Sequence, residues 1–233
     1  MVYVISDIHG EYALFLKLLN KINFSENDTL YVLGDMIDKG CESVRLLKFL
    51  KDKRNVKCIL GNHEYEFLKK YHAIMRESPT DFNAVLKSLQ DYFSSDGYLL
   101  DWETVDWLES LPFYVETPYF IGVHAGIPLK IDKNLEDLQK ILPEQFVYDR
   151  NFKSPNVLPN TNKCVFFGHT PTSYISGESK IIYYKREVLH AQKVSDYIKI
   201  HLDTGVFLNG VLGCFCVDNC TAHYVYKNLE SGL

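Results

Sequence analysis

Short apolar runs that end in Asp, Asn or His recur along this chain, and they constrain its fold more than any other feature. Five of them read "VYVIS", "TLYVLG", "VKCILG", "YFIGV" and "KCVFFG". The polar residues that follow these runs are Asp7, His9, Asp35, Asn62, His63, His124 and His169. Runs of this length that are rich in Val, Ile, Phe and Tyr predict buried strands. A sixth run, "YIKIHLDTG", has the same character and contains His201 and Asp203.

Helical patterns separate the early strands. Residues 11–23 and 42–53 each repeat apolar side chains at helical spacing. These side chains are Leu14, Phe15, Leu18, Leu19 and Ile22 in the first pattern, and Val44, Leu47 and Leu50 in the second. An alternation of strands and helices predicts βαβ units and a parallel sheet. Because ligand sites in such sheets form beyond the carboxyl ends of the strands, we expect the polar strand-end residues to collect there.

The rest of the chain predicts one domain, residues 1–233, with a mostly helical insertion at about 65–111. Trp102, Val105 and Leu108 are predicted to share one helix face, and Pro112 ends that helix. After about residue 172 the segments "KIIYYKREV" and "AHYVYKNL" are typical of hairpin or edge strands. We expect the insertion to cover one rim of the site.

The charge and the hydropathy pattern exclude several classes of protein. A net charge of -5 argues against a broad basic surface that would bind a nucleic-acid duplex. No stretch approaches the roughly 18 uncharged apolar residues that a membrane span needs. Strand-like sequence begins at Val2, so we expect neither a signal peptide nor a membrane association.

The cysteines favour a reducing compartment. The six are Cys41, Cys58, Cys164, Cys214, Cys216 and Cys220. Three lie in or beside apolar runs, which suits buried thiols and predicts a cytoplasmic protein. The cluster "CFCVDNC" has a different spacing from zinc ribbons and fingers, and we interpret it as a strand entering a turn, with a zinc site as the alternative.

The strand-end residues together form a mixed set of metal ligands. Two carboxylates, one amide oxygen and three imidazoles suit manganese, iron or zinc better than calcium or magnesium. The set comprises Asp7, His9, Asp35, Asn62, His124 and His169. Six ligands suit two ions if one carboxylate bridges them, and Asp35 is our choice for the bridge. Two ions about 3.5–4 Å apart act on phosphoryl centres by acidifying a water molecule and neutralising charge.

Four further residues complete a hydrolytic site. His63 follows Asn62 directly, so it should lie at the site without binding metal and act as the general acid. Asp38 is predicted to orient the imidazole of His63. Lys39 and Arg150 are the candidate phosphate-binding cations.

Each of these residues also has an ordinary structural interpretation. Lys39 could belong to a solvated turn, and Arg150 could pair with Asp149. A single buried histidine is more often a core residue than a ligand, and we give that interpretation to the remaining four: His72, His190, His201 and His223. Five separate strand ends with ligand chemistry in one chain favour a metal site over these alternatives.

The motifs "DIHG", "GDMIDKG", "GNHE", "VHAG" and "FFGHT" resemble, in order and spacing, the phosphoprotein phosphatase branch of the calcineurin-like metallophosphoesterases. The resemblance covers about residues 1–205. It implies an α/β fold, a four-layer α/β/β/α sandwich of two mixed sheets flanked by helices. It implies Asp7, His9 and Asp35 on one ion. It implies Asp35, Asn62, His124 and His169 on the other ion.

The resemblance also assigns His63 as the acid, Asp38 as its orienting partner and, through "FVYDRNF", Arg150 as a phosphate contact. Two features depart from the family pattern. Lys39 stands where Arg is usual, which keeps the charge but loses the bidentate fork. The motif "GHTP" lacks the second histidine of many nucleases in the wider superfamily, which favours the phosphatase branch.

Three functions compete at this stage. The leading interpretation is a metal-dependent phosphatase that hydrolyses phosphoserine or phosphothreonine in proteins by direct attack of metal-bound water, with manganese as the first choice of metal and iron or zinc as alternatives. The alternative is a dinucleoside polyphosphate hydrolase that uses the same site on a nucleotide. The third is a non-catalytic scaffold, against which the complete ligand set argues.

Overall fold

Two five-stranded mixed β-sheets form the centre of the protein in the computed structural model. The structure describes residues 1–77, 100–127, 135–159, 161–188 and 190–227. The strands are β1 (Val2–Ile5), β2 (Thr29–Val32), β3 (Val56–Cys58), β4 (Tyr114–Glu116), β5 (Phe120–Val123), β6 (Cys164–Phe167), β7 (Ile182–Lys185), β8 (Tyr197–His201), β9 (Val211–Cys216) and β10 (Thr221–Tyr226). The helices are α1 (Tyr12–Lys21), α2 (Ser43–Asp52), α3 (Asn62–Glu77), α4 (Trp102–Glu109), α5 (Pro143–Tyr148), α6 (Ser173–Ser176) and α7 (Val206–Asn209). Two 3-10 turns span Leu135–Lys140 and Val194–Asp196.

Each sheet contains three neighbouring parallel strands. The first sheet has the order β10-β9-β1-β2-β3, in which β1, β2 and β3 are parallel. The second has the order β4-β5-β6-β8-β7, in which β5, β6 and β8 are parallel. Antiparallel strands complete both sheets. The carboxyl ends of the parallel strands within each sheet therefore share one edge, where the polar motif residues follow.

The amphipathic helices form where the apolar stripes predict them. The five predicted apolar residues of the first stripe and the three of the second are all buried. The carboxylate of Asp101 caps α4 by accepting a hydrogen bond from the backbone N–H of Thr104 at 2.9 Å. Val105 and Leu108 of α4 are buried, whereas Trp102 is 57% exposed. The prediction of one shared face is wrong for Trp102. Residues spaced three apart rotate around the helix, so it lies about 120° from Leu108.

Three apolar clusters separate four layers. Helices α1 to α4 pack on the outer face of the first sheet. Between the sheets lie Val4, Leu33, Phe120, Phe166 and Phe215 among others. The outer face of the second sheet contacts α5 through Phe146 and Val147, and also contacts Phe152. The predicted α/β/β/α sandwich is confirmed.

The C-terminal third forms the edge strands that its sequence predicts. "KIIYYKREV" contains β7 at the edge of the second sheet, and "AHYVYKNL" contains all but the first residue of β10 at the edge of the first. "CFCVDNC" is the end of β9 followed by a turn, with free thiols. Within the predicted insertion α3 and α4 are helical, and its residues 78–99 lie outside the described residues. The single-domain organisation stays a prediction, and no described helix has the length and apolar character of a membrane span.

Candidate metal centre

The loops after β1, β2 and β6 are held in an uncommon backbone conformation. Asp7, His9, Asp35 and His169 have φ values of +53°, +49°, +52° and +71°. Residues other than glycine rarely adopt this left-handed region, and such strain concentrates at functional sites. Hydrogen bonds between the first two loops support it, since the N–H of His9 donates to the carbonyl of Asp35 at 2.9 Å. The backbone itself therefore aims these side chains.

Glycines before two of the predicted ligands allow the loops to approach closely. A Cβ atom on Gly61 would lie 2.3 Å from Oδ1 of Asp35, and one on Gly168 would lie 2.0 Å from Oδ2 of Asp7. Neither position has room for a side chain. The glycines of the "GN" and "GH" dipeptides are therefore needed because the carboxylates of Asp35 and Asp7 pack against them, in addition to their role in turns.

Asp35 lies between two groups of side chains and directs one carboxylate oxygen at each. Its Oδ1 lies 3.4 Å from Nε2 of His124. Its Oδ2 lies 3.7 Å from Nε2 of His9 and 3.7 Å from Nε2 of His63. This arrangement is what a bridging carboxylate requires, and the bridging role of Asp35 stays a prediction.

The second group brings three donor atoms together beside Asp35. Nε2 of His124 lies 3.0 Å from Oδ1 of Asn62 and 3.2 Å from Nδ1 of His169. Nδ1 of His169 lies 2.8 Å from Oδ1 of Asn62. Two imidazole nitrogens, an amide oxygen and a carboxylate oxygen on four different loops therefore converge. This chemistry fits a divalent ion of the manganese, iron or zinc class.

Backbone carbonyl groups orient two of the imidazoles. Nδ1 of His9 lies 3.1 Å from the carbonyl oxygen of Ile37, and Nδ1 of His124 lies 2.8 Å from that of Leu33. Donation from Nδ1–H leaves the Nε2 lone pair pointing into the centre, as metal-binding histidines require. Burial lowers the pKa of His9 to about 4. Its ring is therefore neutral at pH 7 and able to bind a cation.

Asp7 lies beside these groups and bonds to the loop of the opposite sheet. Its carboxylate accepts hydrogen bonds from the backbone N–H of His169 at 3.1 and 3.2 Å and from the hydroxyl of Ser6. The two ligand groups that form among the described residues are His9–Asp35–His63 and Asp35–His124–His169. Asp7 thus joins the two strand ends, and its predicted role as a ligand stays a prediction.

His63 and Asp38 form the pair that the sequence predicts. Nδ1 of His63 lies 2.7 Å from Oδ2 of Asp38. Burial alone would lower the pKa of His63, but the hydrogen bond to Asp38 and the charge of Asp35 raise it above its ordinary value. Beside this pair is a cleft of about 210 Å³ whose lining includes Glu66 and Lys70 of α3. The acid candidate therefore borders a cleft.

The two candidate phosphate-binding cations lie on different loops. Nζ of Lys39 is 3.0 Å from Nε2 of His9 and 5.9 Å from the ring centre of Phe207. Arg150 is exposed and lies two residues after the end of α5. Burial and His124 are the main causes that lower the pKa of His169 to about 3, and the charge of Arg150 contributes. Lys39 therefore lies beside a predicted metal ligand, and the role of Arg150 stays a prediction.

Glu64 lies at the site but was not predicted to have a role there, although the motif "GNHE" contains it. It is fully buried, and its carboxylate accepts four backbone N–H bonds. The donors and distances are Asp35 at 2.9 Å, Met36 at 2.7 Å, Ile37 at 3.0 Å and Gly61 at 2.9 Å. The bond from Gly61 is half of a capping box at the start of α3. Glu64 thus ties the loop of Asp35 to the turn of Asn62.

The sixth apolar run ends near the same edge. It forms β8, and both His201 and Asp203 are buried. The ring of His201 stacks on Phe167 with centroids 4.3 Å apart, in agreement with its structural interpretation. Burial, reinforced by Asp7, raises the pKa of Asp203. His72 pairs with Glu109 at 3.0 Å, away from the site.

The chain is similar to known nucleotide hydrolases in sequence. It is 37% identical over 129 residues to the symmetrical bis(5'-nucleosyl)-tetraphosphatase of Haemophilus ducreyi, covering 54% of this chain and 44% of that protein. It is 30% identical over 174 residues to the enzyme of the same name from Wigglesworthia glossinidia brevipalpis, covering 68% of this chain and 61% of that protein. The chain thus matches about half the length of these curated relatives.

Solved structures share its fold at low sequence identity. A structure with the provisional description of diadenosine tetraphosphatase superposes with a TM-score of 0.67 at 19% identity, covering 98% of this chain and 94% of the other. A cold-active protein-tyrosine phosphatase of a psychrophilic Shewanella species gives 0.56 at 17% identity, covering 96% and 79%. These likenesses support the fold alone.

The family model for calcineurin-like phosphoesterases matches residues 1–201. This range contains all five motifs and every candidate site residue. The predicted resemblance and the prediction of a hydrolase are confirmed at this level. The protein belongs to the calcineurin-like phosphoesterase family of metallophosphoesterase hydrolases.

Proposed function

We propose that this protein hydrolyses dinucleoside tetraphosphates, with diadenosine tetraphosphate as the model substrate. The similarity to symmetrical bis(5'-nucleosyl)-tetraphosphatases carries this proposal, because the relatives share up to 37% identity with the chain. The sequence alone favoured phosphoserine and phosphothreonine in proteins. The relatives favour the nucleotide alternative instead, and the phosphoprotein reaction becomes an outcome of the test.

Two divalent ions are proposed as the cofactors, with manganese as the first choice and iron or zinc as alternatives. His9 and Asp7 would hold one ion, and Asn62, His124 and His169 the other. The convergence of the donor atoms of Asn62, His124 and His169 supports the second ion. One oxygen of Asp35 is directed toward His124 and the other toward His9, which supports a bridge between two ions. Such ions supply Lewis acidity, which acidifies water and neutralises charge on a phosphoryl group.

His63 is proposed as the general acid of the reaction. Water adds to one phosphorus atom and releases a proton to the solvent, and the P–O bond to the leaving phosphate breaks. The leaving oxygen takes a proton from Nε2 of His63, which then regains a proton from the solvent. Asp38 accepts a hydrogen bond from Nδ1–H of the same ring, which fixes the tautomer and favours the protonated form. The raised pKa of His63 supports this role. Lys39 and Arg150 would bind the non-bridging phosphate oxygens.

The deciding experiment compares substrates with manganese present. We expect kcat/KM for diadenosine tetraphosphate to exceed that for a phosphothreonine peptide, and symmetrical cleavage to release ADP as the single nucleotide product. Chromatography of the products distinguishes ADP from the ATP and AMP of asymmetric cleavage. A preference for the peptide would overturn the proposal in favour of a protein phosphatase. A purified protein that retains no metal would favour the scaffold interpretation.

A further inference from the structure

Lys199 of β8 is fully buried, and its ammonium group bonds to three backbone carbonyl oxygens of one loop. Nζ donates to the carbonyl oxygens of Phe152 at 2.5 Å, Ser154 at 2.8 Å and Val157 at 2.6 Å. All three donor positions of the ammonium are thereby used. In the described part of the chain no carboxylate forms an ion pair with Lys199. A buried lysine is rarely found without such a partner, so this arrangement requires an explanation.

Aromatic rings complete the environment of the ammonium. Nζ lies 4.7 Å from the ring centre of Phe152, 5.8 Å from that of Phe167 and 4.5 Å from that of Tyr184. These distances are within the range of cation–π attraction, which is strongest for desolvated cations. Burial lowers the pKa of Lys199 to about 8, so the group is protonated at pH 7. The cage therefore holds a charge.

The segment bound by Lys199 begins at Phe152, two residues after Arg150. Tyr184 supports the same segment, since its hydroxyl donates to the carbonyl of Lys153 at 2.7 Å. Phe152 is fully buried, and its ring packs edge-to-face on Phe167 of β6 with centroids 4.9 Å apart. The chain at Arg150 is thus fixed from its C-terminal side by contacts with β6, β7 and β8.

The same segment packs against the turn of His124. A Cβ atom on Gly126 would lie 2.4 Å from Cβ of Phe152 and 3.3 Å from Oδ2 of Asp149. The N–H of Ala125 donates to the carbonyl of Phe146 at 2.7 Å. Glycine in the "VHAG" motif therefore lets the residues on both sides of Arg150 contact the loop that carries His124. A shift of Phe152 would move Arg150 relative to the predicted centre.

We propose that Lys199 is a positioning residue, which holds the 152–157 loop so that Arg150 faces the phosphate of the substrate. This rests on the proposed function, because Arg150 is assigned there to phosphate binding. Lys199 itself does not touch the substrate. It acts through the backbone of the loop, by fixing three carbonyl groups at a distance from the reacting atoms.

The test compares Lys199→Met with the wild-type holoenzyme. Methionine keeps an unbranched apolar chain that is one atom shorter, and it removes the charge and the three donors. We expect kcat/KM to fall about 10- to 100-fold, mainly through KM, because small displacements of a positioning group cost about that much. The affinity for inorganic phosphate should fall in parallel while metal content is unchanged. The matched control is Lys185→Met, an exposed lysine of the adjacent strand, which should match the wild type.

A double-mutant comparison with Arg150→Ala shows whether Lys199 positions Arg150 or only stabilises the fold. In an Arg150→Ala background, Lys199→Met should change kcat/KM and phosphate affinity by less than about twofold, because the group it positions is absent. Equal losses in both backgrounds would overturn the proposal. Hydrogen exchange at the amides of Ser154 and Val157, which bond within the loop, should accelerate in Lys199→Met. Unchanged exchange would also overturn it.

Two further measurements keep the test decisive. If Lys199→Met fails to fold, Tyr184→Phe removes only the bond to the Lys153 carbonyl and should give a smaller change in the same direction. An unchanged phosphate affinity in that variant would then count against the proposal. Assays with p-nitrophenyl phosphate and binding of inorganic phosphate do not depend on the nucleotide. A wild-type enzyme inactive on diadenosine tetraphosphate would therefore reject the proposed function and leave the test of Lys199 intact.

Discussion

Nδ1 of His63 lies 2.7 Å from Oδ2 of Asp38, while Nε2 of the same ring lies 3.7 Å from Oδ2 of Asp35. One nitrogen is therefore held by a half-exposed carboxylate and the other faces the buried centre. This geometry fits the proposed role of His63, in which Nδ1 orients the ring and Nε2 transfers the proton.

Replacing His63 tests its proposed role as the general acid. We expect His63→Asn to lower kcat by about 10²-fold or more, since general acid catalysis contributes about 10²–10⁴-fold. Metal content, measured by elemental analysis, should stay at the wild-type level because Asn62 and Asp35 remain. Near-wild-type turnover on a substrate with a poor leaving group would contradict the assignment of the acid.

Removing the charge of Asp38 should change the pH profile. The hydrogen bond to Asp38 raises the pKa of His63 against the effect of burial. An acid must be protonated, so kcat should fall as pH rises through the pKa of His63. In Asp38→Asn that pKa decreases, and the alkaline limb of the kcat–pH profile should move to lower pH. A profile identical to that of the wild type would show that Asp38 does not control this proton.

The raised pKa of His63 also makes the stability of the folded protein depend on pH. Because the pKa of His63 is raised in the folded state, its contribution to the free energy of unfolding is present below its unfolded pKa of about 6.5. That contribution is lost as pH rises through the folded value. Denaturant titrations of the metal-free protein on both sides of this range should show the loss, and Asp38→Asn should reduce it.

Asp35 gives a prediction about metal stoichiometry. Its two oxygens face different groups, at 3.4 Å from His124 and 3.7 Å from His9. We therefore expect Asp35→Asn to weaken binding at both sites together, because an amide offers one acceptor oxygen and no charge. A manganese titration monitored by electron paramagnetic resonance measures the affinity of both sites. Loss of one ion with the other retained at full affinity would show that Asp35 does not bridge.

The sequence predicted most of the fold because the decisive signals are local. The five apolar runs singled out in the sequence all contain strands, and the ligand candidates follow those runs directly. The edge strands β7 and β10 were predictable for the same reason. Trp102 was assigned to the wrong helix face because spacing by three residues drifts around a helix, and the sequence alone does not place the core.

The buried positions of Glu64 and Lys199 were not predicted, for a different reason. Charged residues are normally exposed, so a sequence gives no sign that one is buried. Their partners are backbone groups of other loops. Almost every residue type carries these groups, so the sequence does not indicate which of them will be a partner. The N–H groups that Glu64 binds belong to Asp35, Met36, Ile37 and Gly61, and any residue except proline would supply them. Only the folded structure shows such contacts.

Glu64→Gln should therefore destabilise the protein. The amide replaces one acceptor oxygen by a donor and leaves at least one buried N–H unpaired, which costs about 1–3 kcal/mol. We expect the free energy of unfolding from urea titration to fall by that amount. Glu103→Gln, an exposed residue of α4 that pairs with Lys51 at 3.4 Å, is the control and should change it by less than about 1 kcal/mol. Equal stability of the two variants would contradict the structural role of Glu64.

Lys39 provides the last prediction, since its ammonium lies 3.0 Å from Nε2 of His9 where the family pattern has arginine. A lysine binds phosphate as a point charge, whereas arginine adds a bidentate fork. We expect Lys39→Ala to lower kcat/KM about 10- to 100-fold, as for the loss of a charged hydrogen bond of about 1.5–3 kcal/mol. Lys39→Arg should lower KM relative to the wild type.

Steady-state kinetics and elemental analysis together separate two roles for Lys39. If it binds phosphate, Lys39→Ala changes KM and leaves metal content alone, and Lys57→Ala on the edge strand β3 matches the wild type. If its contact with His9 instead governs metal binding, Lys39→Ala changes metal affinity at constant KM under saturating manganese. The second result would exclude Lys39 from phosphate binding and leave Arg150 as the cation that binds it.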